Sequence, residues 1–236
     1  NQFTDEKVEV RRGDRYFFSK NDGLQNQSDL YMQKTLTGEP EVVLDPNKFS
    51  PDGTIALSLL AYSKDWTLLA YGISKSGSDW QEIKILNIDT RKEYPEVINW
   101  CKFSNVAWRD DHSGFFYNRY PEPGTVPEED QYNYNKVYFH KLGTPQAEDQ
   151  LVYEDPDHKE LSFTPFITED GKYLFLYVEL GTDPKNRVYY REVESKSPFI
   201  KLLDKADANY AFVGNLDTLF YFRTDLDAPH GKIIQI

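Results

Sequence analysis

The chain has 236 residues, enough for one large all-β domain or two small ones. Hydrophobic residues make up 39% of it and aromatic residues 15%, which is ample material for a core and argues against disorder. Its 39 acidic and 27 basic side chains give a formal net charge of −12, which argues against nucleic acid and anionic membrane as partners.

Three features of the sequence bear on the compartment of the protein. Residues 1–8 are polar and carry no signal-peptide pattern. No apolar stretch approaches the roughly 20 residues that a membrane span needs. The single cysteine, Cys101, cannot form a disulfide within this sequence, which fits a reducing compartment. We therefore expect a cytoplasmic location.

Five short apolar runs, each ending in an aromatic residue, recur along the chain. Their last aromatics lie 45 to 60 residues apart, at Phe18, Tyr71, Tyr117, Tyr177 and Phe222. Repeats of about 40 to 50 residues are typical of the four-stranded blades of β-propellers. The repeat therefore predicts an all-β fold, a β-propeller of four-stranded antiparallel blades.

The segments around each run complete a blade. A polar turn precedes the run, another strand precedes most of the turns, and a loop and an alternating third strand follow. A fourth strand closes the complete units, as at residues 41–44, 150–153 and 199–203. The sequence predicts one propeller domain over residues 1–236, with blades at approximately 8–48, 54–98, 99–157, 160–205 and 206–236.

The second strand of each unit is apolar on both faces, as in residues 173–178. Long helical patterns are absent, so the expected coverings are neighbouring sheets, as in stacked propeller blades. A β-sandwich is the alternative; it explains the strands but not the period. The fifth unit stops after its third strand. We therefore expect about five blades, as an excerpt of a larger propeller.

The loops that join strands 2 and 3 differ from unit to unit, whereas the turns that join strands 1 and 2 are short and similar. In an up-and-down blade these two kinds of connection lie on opposite faces. Irregular loops are where function usually sits. The 2–3 face is therefore the predicted working face, formed by residues 19–28, 74–79, 118–135, 179–186 and 223–231.

Catalytic and metal-binding motifs are absent from the sequence. No G-x-S-x-G nucleophile turn occurs, and no glycine-rich phosphate loop. The four histidines have no partner at metal-ligand spacing, and each is interpreted as a surface or strand residue. The acid pairs at 110–111 and 128–130 fall in solvated turns, so a glycosidase site is not favoured. We expect no catalytic residue, metal or cofactor in this chain.

The repeats contain sequence motifs that resemble those of the prolyl oligopeptidase family, in order from about Tyr16 to Ile236. The motifs that carry the resemblance are Tyr16-Phe17-Phe18-Ser19-Lys20-Asn21-Asp22-Gly23, Tyr71-Gly72-Ile73-Ser74, Ser76-Gly77-Ser78-Asp79-Trp80, Phe103-Ser104, Ala107-Trp108, Phe116-Tyr117-Asn118, Tyr120-Pro121, Leu142-Gly143-Thr144, Glu148-Asp149, Gly181, Asp183-Pro184 and Asn186-Arg187.

The resemblance implies an activity that this chain performs only with a second domain. In that family a seven-bladed propeller covers an α/β-hydrolase domain with a Ser-Asp-His triad, which cleaves short peptides after proline. The propeller is thought to admit small peptides and to exclude folded proteins. The resemblance therefore implies two partners, the hydrolase domain of the same polypeptide and short proline-containing peptides. We expect the triad to lie outside this chain.

The resemblance also assigns candidate site residues. Phe103 matches an aromatic that helps to form the pocket for the substrate residue two positions before the proline. Without the resemblance, the strand pattern alone predicts that Phe103 begins an inner strand and belongs to the core. Asp79 matches an acid that pairs with an arginine of the hydrolase domain; from the residues alone it is a turn residue. Glu179 and Thr182 stand where some members carry arginine and cysteine, and Ser162 or Phe163 stands nearest a pocket methionine.

Two other functions remain open at this point. One is a non-enzymatic propeller that binds a protein partner. The other is the propeller of a related peptidase, such as an oligopeptidase B or a dipeptidyl peptidase. The Ser76–Trp80 and Gly181–Pro184 motifs favour a prolyl oligopeptidase over both.

Overall fold

The computed structural model of the chain describes residues 5–6, 10–12, 14–21 and 23–236. Gly13, which the sequence places in the polar turn before the first apolar run, and the motif residue Asp22 lie outside the described residues. The described residues form twenty β-strands and three 3₁₀ turns, and all of the strand pairings are antiparallel. The chain divides into two compact units, Asn1–Asn99 and Trp100–Ile236.

The first unit holds two sheets. One has the strand order β1-β3-β4-β5, with β2 also paired to β3, and the other has the order β6-β7-β8-β9. The last strand of the second sheet continues past the unit boundary. The strands are β1 (Asp5–Glu6), β2 (Val10–Arg12), β3 (Arg15–Asn21), β4 (Asp29–Gln33), β5 (Glu41–Leu44), β6 (Ile55–Tyr62), β7 (Leu68–Lys75), β8 (Trp80–Asn87) and β9 (Lys92–Lys102). The 3₁₀ turn Pro46–Lys48 links the two sheets.

The second unit holds three sheets with the orders β10-β11-β12-β13, β14-β15-β16-β17 and β18-β19-β20. The strands are β10 (Val106–Trp108), β11 (Gly114–Arg119), β12 (Lys136–Lys141), β13 (Gln150–Tyr153), β14 (Leu161–Ile167), β15 (Tyr173–Leu180), β16 (Asn186–Glu192), β17 (Ile200–Leu203), β18 (Tyr210–Leu216), β19 (Leu219–Thr224) and β20 (Lys232–Gln235). The 3₁₀ turns Glu128–Asp130 and Gln146–Glu148 lie in loops of the first of these sheets.

The five sheets confirm the predicted antiparallel blade architecture; in four of them sequential strands pair as a meander, and in the first β3 pairs with both β1 and β2. The predicted fourth strands at 41–44 and 150–153 match β5 and β13, and the one predicted at 199–203 matches β17 to within one residue. The clearest difference lies at residues 102–109, where one long inner strand was predicted. There β9 ends at Lys102 and β10 spans only Val106–Trp108, because the chain turns at Phe103 with a φ of 48°.

Strand β15 shows why its sequence is apolar on both faces. Leu174, Leu176 and Val178 are buried in a core shared with the preceding sheet. Tyr173 and Phe175 are buried against the following sheet, which contributes Ala208, Tyr210, Phe220 and Phe222. Side chains alternate along a strand, so a sheet packed on both sides needs apolar residues at every position. This confirms that neighbouring sheets cover each other.

A buried polar cluster closes the first sheet of the second unit. The Tyr117 hydroxyl donates to Oδ2 of Asp149 at 2.6 Å, and Nδ1 of His140 lies 2.7 Å from Oδ1 of the same carboxylate. His140 is fully buried and the Asp149 side chain is 1% exposed. The carboxylate therefore joins β11 and β12 to the turn that leads into β13. This contact gives His140 a structural position in a strand, as the sequence indicated.

Candidate functional site

A cleft of about 630 Å³ opens in the second unit, and residues from the first two of its sheets and their loops line it. Four of the five candidate substrate-binding residues border it: Phe103, Ser162, Glu179 and Thr182. The remaining lining residues are Lys102, Asn118, Tyr120, Tyr132, Glu160, Thr164 and Gly181. The cleft is within the range of volumes typical of ligand sites.

A short turn between β9 and β10 presents Phe103 to the cleft. The Lys102 N–H donates to Oγ of Ser104 at 3.1 Å, and that hydroxyl donates to the backbone carbonyl of Asn118 at 2.6 Å. Phe103 has a φ of 48°, in the left-handed region that non-glycine residues seldom adopt. Its side chain is 71% exposed, although Phe is a residue that folding normally buries. The structure thus places Phe103 outside the core, and an exposed aromatic held on a constrained backbone suits a ligand contact.

The hairpin of β14 and β15 supplies the lining residues that come from the second sheet. Ser162 pairs directly with Glu179, so both side chains lie on one face of the hairpin, together with Thr164 two residues on. Phe163 points to the other face, where it is 1% exposed and packs edge-on against Tyr153 with ring centroids 4.9 Å apart. Of the two alternatives at this place, Ser162 therefore borders the cleft and Phe163 belongs to the core.

Glu179 is one of three charged side chains that line the cleft, with Lys102 and Glu160. The Thr164 hydroxyl donates to Oε2 of Glu179 at 3.0 Å. Burial raises the pKa of Tyr120 and of Tyr177, and the nearby negative charge of Glu179 raises both pKa values further. Both tyrosines are therefore neutral at physiological pH, and the carboxylate is the acceptor toward which a cationic group would be drawn.

Aromatic rings and one lysine occupy the rest of the rim. The Lys102 Nζ lies 4.0 Å from the Tyr132 ring centroid and 5.5 Å from that of Phe103, within cation–π range. Tyr132 is 48% exposed. Rings and hydrogen-bonding groups arranged in this way can bind an extended peptide, with an apolar side chain on Phe103 and polar groups toward Glu179.

Asparagine side chains near the cleft form hydrogen bonds that link the sheets lining it. The Asn135 Oδ1 accepts from the Phe163 N–H at 3.0 Å, and Asn135 also bonds to the Tyr120 side chain. The Asn118 Oδ1 accepts from the Asn105 N–H at 3.0 Å, and the Asn105 side chain donates to the Pro165 carbonyl at 2.9 Å. These bonds tie the first sheet of the unit to the second, so the lining residues of the two sheets keep fixed relative positions.

Sequence reasoning missed several lining residues. Lys102, Asn118, Tyr132, Glu160 and Thr164 carried no prediction as site residues, and Tyr120 was noted only as part of the Tyr120-Pro121 motif. The period of two along β14 was a usable signal for Thr164, because Thr164 shares a face with Ser162. Tyr132 lies in the loop 118–135 of the predicted working face, but the path of that loop follows from contacts distant in sequence, so no pattern singled out Tyr132 within it.

Asp79 lies in the first unit, in the hairpin between β7 and β8, and is exposed. Ser76 and Gly77 have φ values of 52° and 72°, and the Ser78 N–H closes the turn on the Lys75 carbonyl at 2.9 Å. The Ser78 hydroxyl accepts from the Trp80 N–H at 3.2 Å. Gly77 thus permits a tight turn that carries the Asp79 carboxylate toward solvent, where a charged partner could reach it.

No group of three or more His, Cys, Asp or Glu side chains among the described residues is arranged to hold a metal ion. Within the same residues, no helix is long and apolar enough to cross a membrane. The His158 ring contacts Asp155 at 3.0 Å on the surface.

Comparison with known proteins gives one consistent result. The profile of the prolyl oligopeptidase N-terminal β-propeller domain matches residues 1–236. The prolyl endopeptidase of Elizabethkingia meningoseptica is 38% identical over 227 residues, which are 95% of this chain and 32% of that protein. Prolyl oligopeptidase A of Galerina marginata is 35% identical over 253 residues, covering 94% of this chain and 34% of that protein.

Solved structures agree with the sequence comparisons. A structure from a study of two prolyl endopeptidases superposes with a TM-score of 0.87 at 30% identity, covering 99% of this chain and 33% of that one. Prolyl oligopeptidase B of Galerina marginata, bound to a 25-residue macrocyclization substrate, superposes with a TM-score of 0.91 at 28% identity, covering 100% of this chain and 36% of that one. The chain thus spans about a third of the length of the relatives it matches.

Proposed function

The chain belongs to the prolyl oligopeptidase family, as part of its N-terminal β-propeller domain, and on that premise we propose that it is the substrate-gating propeller of a serine peptidase that cleaves short peptides after proline. The proposal divides the work between two domains. An α/β-hydrolase domain of the same polypeptide supplies the nucleophile, its base and the acid that orients the base. The propeller selects what reaches them and contributes part of the substrate-binding surface.

The observation that carries the proposal is the cleft around Phe103. A solvent-exposed phenylalanine, a fixed carboxylate at Glu179 and the side chains of Ser162 and Thr182 meet at one place. We propose that the Phe103 ring packs against the substrate side chain two positions before the proline. Burying such a side chain contributes on the order of 1–3 kcal/mol, enough to discriminate between large and small side chains without taking part in bond cleavage.

Glu179 gives this binding surface a charge preference. Its carboxylate is partly buried and bonded to the Thr164 hydroxyl. The net charge of −12 adds a long-range attraction for cationic peptides. We therefore propose that substrates with a lysine or arginine close to the Phe103 contact are favoured over those with an acid.

Asp79 is proposed to hold the propeller to the hydrolase domain. Its side chain projects from a constrained turn of the first unit. A charge-assisted contact with an arginine of the other domain would gain strength where the interface excludes water.

The two alternative functions explain less. A non-enzymatic interaction propeller gives no reason for an aromatic and acidic cleft of peptide size. The family match and the relatives named prolyl endopeptidase favour cleavage after proline over the specificity of an oligopeptidase B or a dipeptidyl peptidase.

The test uses the full-length protein and the 236-residue chain side by side. The full-length protein should hydrolyse a chromogenic proline-containing peptide, and the 236-residue chain should not, because a nucleophile needs an activating base that the chain lacks. A flexible peptide should be cleaved much faster than the same sequence within a folded domain. Equal cleavage of both substrates would contradict gating, and turnover that copurifies with the 236-residue chain would contradict the division of labour.

A further inference from the structure

A second cleft, of about 780 Å³, lies beside the long loop that joins β11 and β12. Tyr120 borders both this cleft and that of Phe103. The second cleft is lined by three prolines, three tyrosines, two basic residues and four others: Pro121, Pro127, Pro156, Tyr120, Tyr134, Tyr138, Arg119, Lys136, Glu122, Thr125, Val126 and Asp130. Nothing in the function proposed above uses it.

The loop around this cleft is held in shape by its own hydrogen bonds. The Thr125 hydroxyl donates to the Glu122 carbonyl at 2.6 Å. Asp130 accepts from the Lys159 Nζ at 2.8 Å and from the Asn133 amide at 2.9 Å. The Tyr134 N–H donates to the Lys159 carbonyl at 2.7 Å. The cleft is therefore formed before a ligand arrives.

Arg119 lies at the end of β11 and is placed by the register of the sheet. It pairs with Lys136, and Tyr117 pairs with Tyr138, so these four side chains share one face. The guanidinium carbon of Arg119 lies 4.1 Å from the Tyr138 ring centroid and 5.3 Å from that of Trp100. The rings fix the plane of the guanidinium and leave little rotational freedom to lose on binding.

Arg119 differs from the other cations around the cleft in having no acidic partner among the described residues. Lys136 is paired with Glu154 at 2.6 Å, and Lys159 with Asp130. The Arg119 Nε is buried and meets no acceptor within the described part of the chain. A buried donor without an acceptor is unfavourable, and a guanidinium is built to receive a carboxylate with two parallel bonds. The acids in the lining are Asp130, which Lys159 neutralises, and Glu122, which is exposed.

We propose that the second cleft binds the C-terminal carboxylate of a short peptide that ends in proline. Arg119 pairs with the carboxylate, and the proline ring packs on the tyrosine and proline surfaces. Aromatic-lined grooves suit proline because the bound conformation is already preferred in the free peptide. The site is independent of the proposed gating function, since it requires neither the hydrolase domain nor Phe103.

The experiment is calorimetric titration of the 236-residue chain with acetyl-Gly-Phe-Pro carrying a free carboxylate. A matched peptide ends in prolinol, which keeps the ring but has no charge. The variants are Arg119→Gln, Arg119→Lys and Arg191→Gln. Arg191 is the matched control, because it also stacks on a ring, 4.6 Å from the Phe199 centroid, and has a buried Nε without an acceptor, but it does not line the cleft. Thermal unfolding of each variant checks its fold.

The proposal predicts saturable binding of the carboxylate peptide to the wild type, at least about tenfold weaker binding of the prolinol peptide and a similar loss in Arg119→Gln. Arg119→Lys should fall between, and Arg191→Gln should bind as the wild type. The proposal is wrong if the folded wild type shows no saturable binding, if the two peptides bind equally, or if Arg191→Gln loses as much affinity as Arg119→Gln. No peptide bond is cleaved in this assay, so its failure is distinct from failure of the gating function.

Discussion

The hydroxyl of Thr164 donates a hydrogen bond of 3.0 Å to Oε2 of Glu179, which fixes a carboxylate at the wall of the cleft that Phe103 borders. The two residues lie on adjacent strands and on the same face of the hairpin. A carboxylate held in this way keeps its position when substrate enters, so it can select between peptides by charge.

Replacing Glu179 by Gln keeps the shape of the side chain and removes its charge. Two substrates are compared in the full-length enzyme, one with lysine and one with glutamate near the Phe103 contact. The lysine-to-glutamate ratio of kcat/KM should fall about two- to fivefold in the variant, a typical effect for a partly exposed charge pair. High salt should reduce the wild-type preference. Glu148→Gln, at an exposed acid outside the cleft, is the control and should keep the wild-type ratio. An unchanged ratio in Glu179→Gln would show that the Glu179 charge does not select between substrates.

Asp79→Asn should loosen the contact with the hydrolase domain and leave the blade folded. We expect a higher KM and faster limited proteolysis of the full-length enzyme, together with an unchanged melting temperature of the 236-residue chain. Removing one partner of a partly buried interdomain pair is more damaging than removing one from a surface pair. Asp14→Asn, at a carboxylate that is 97% exposed, is the control. If Asp79→Asn instead unfolds the chain, or matches the wild type in both enzyme assays, Asp79 is a turn residue only.

Cys101 is fully buried, and burial raises the pKa of its thiol to about 12. At pH 8 the native chain should react with a thiol reagent at least about a thousandfold more slowly than a free cysteine, because the thiolate fraction falls by about that factor. Reactivity should return on unfolding. The raised pKa also means that the protonated thiol stabilises the fold below about pH 9, and that this contribution is lost as the pH rises toward 12.

The check on this titration compares urea unfolding of wild type and Cys101→Ala between pH 8 and 11. The free energy of unfolding should fall less steeply with pH in the variant, since it has no thiol to ionise. Parallel curves, or rapid labelling of the native protein, would show that Cys101 is accessible.

Gly114 at the start of β11 has no room for a side chain. A Cβ there would lie 1.9 Å from the carbonyl oxygen of His140 on the paired strand. Gly114→Ala should therefore destabilise the chain by about 2 kcal/mol or more, because the ladder must shift to admit it. Gly214 in β18 is the matched control, since a Cβ there meets nothing within 4 Å, and Gly214→Ala should change stability by less than about 1 kcal/mol. Urea unfolding measures both, and equal losses would contradict the packing described for Gly114.

The repeat in the sequence predicted the blades well because each blade is built from local pairings. Strand periodicity and turn residues act over a few positions, and neighbouring sheets demand apolar residues on both faces of β15. The resemblance to the family also pointed to Phe103, Ser162, Glu179 and Thr182, which border one cleft in the structure. Their roles in binding stay predictions.

The position of Phe103 could not be read from local pattern. Its strand was predicted over residues 102–109, but β10 begins only at Val106, after a turn in which the Ser104 hydroxyl bonds to the carbonyl of Asn118 on the next strand. Local pattern also could not show that Ser162 borders the cleft and Phe163 lies in the core. That difference depends on the face that each side chain occupies once β14 has paired with β15. Both positions depend on contacts between residues distant in sequence. The same is true of Arg119, whose guanidinium lies beside the rings of Tyr138 and Trp100.

The measurement that tests the account most directly is the substrate selectivity of Phe103→Ala in the full-length enzyme. Peptides that differ only at the residue two positions before the proline, with phenylalanine, leucine or alanine there, are compared by kcat/KM. Leu151→Ala, at a 49% exposed leucine outside the cleft, is the control. We predict that the preference for the large side chains falls roughly tenfold while the alanine substrate is cleaved at nearly the wild-type rate. Equal losses for all three peptides would contradict a pocket role for Phe103.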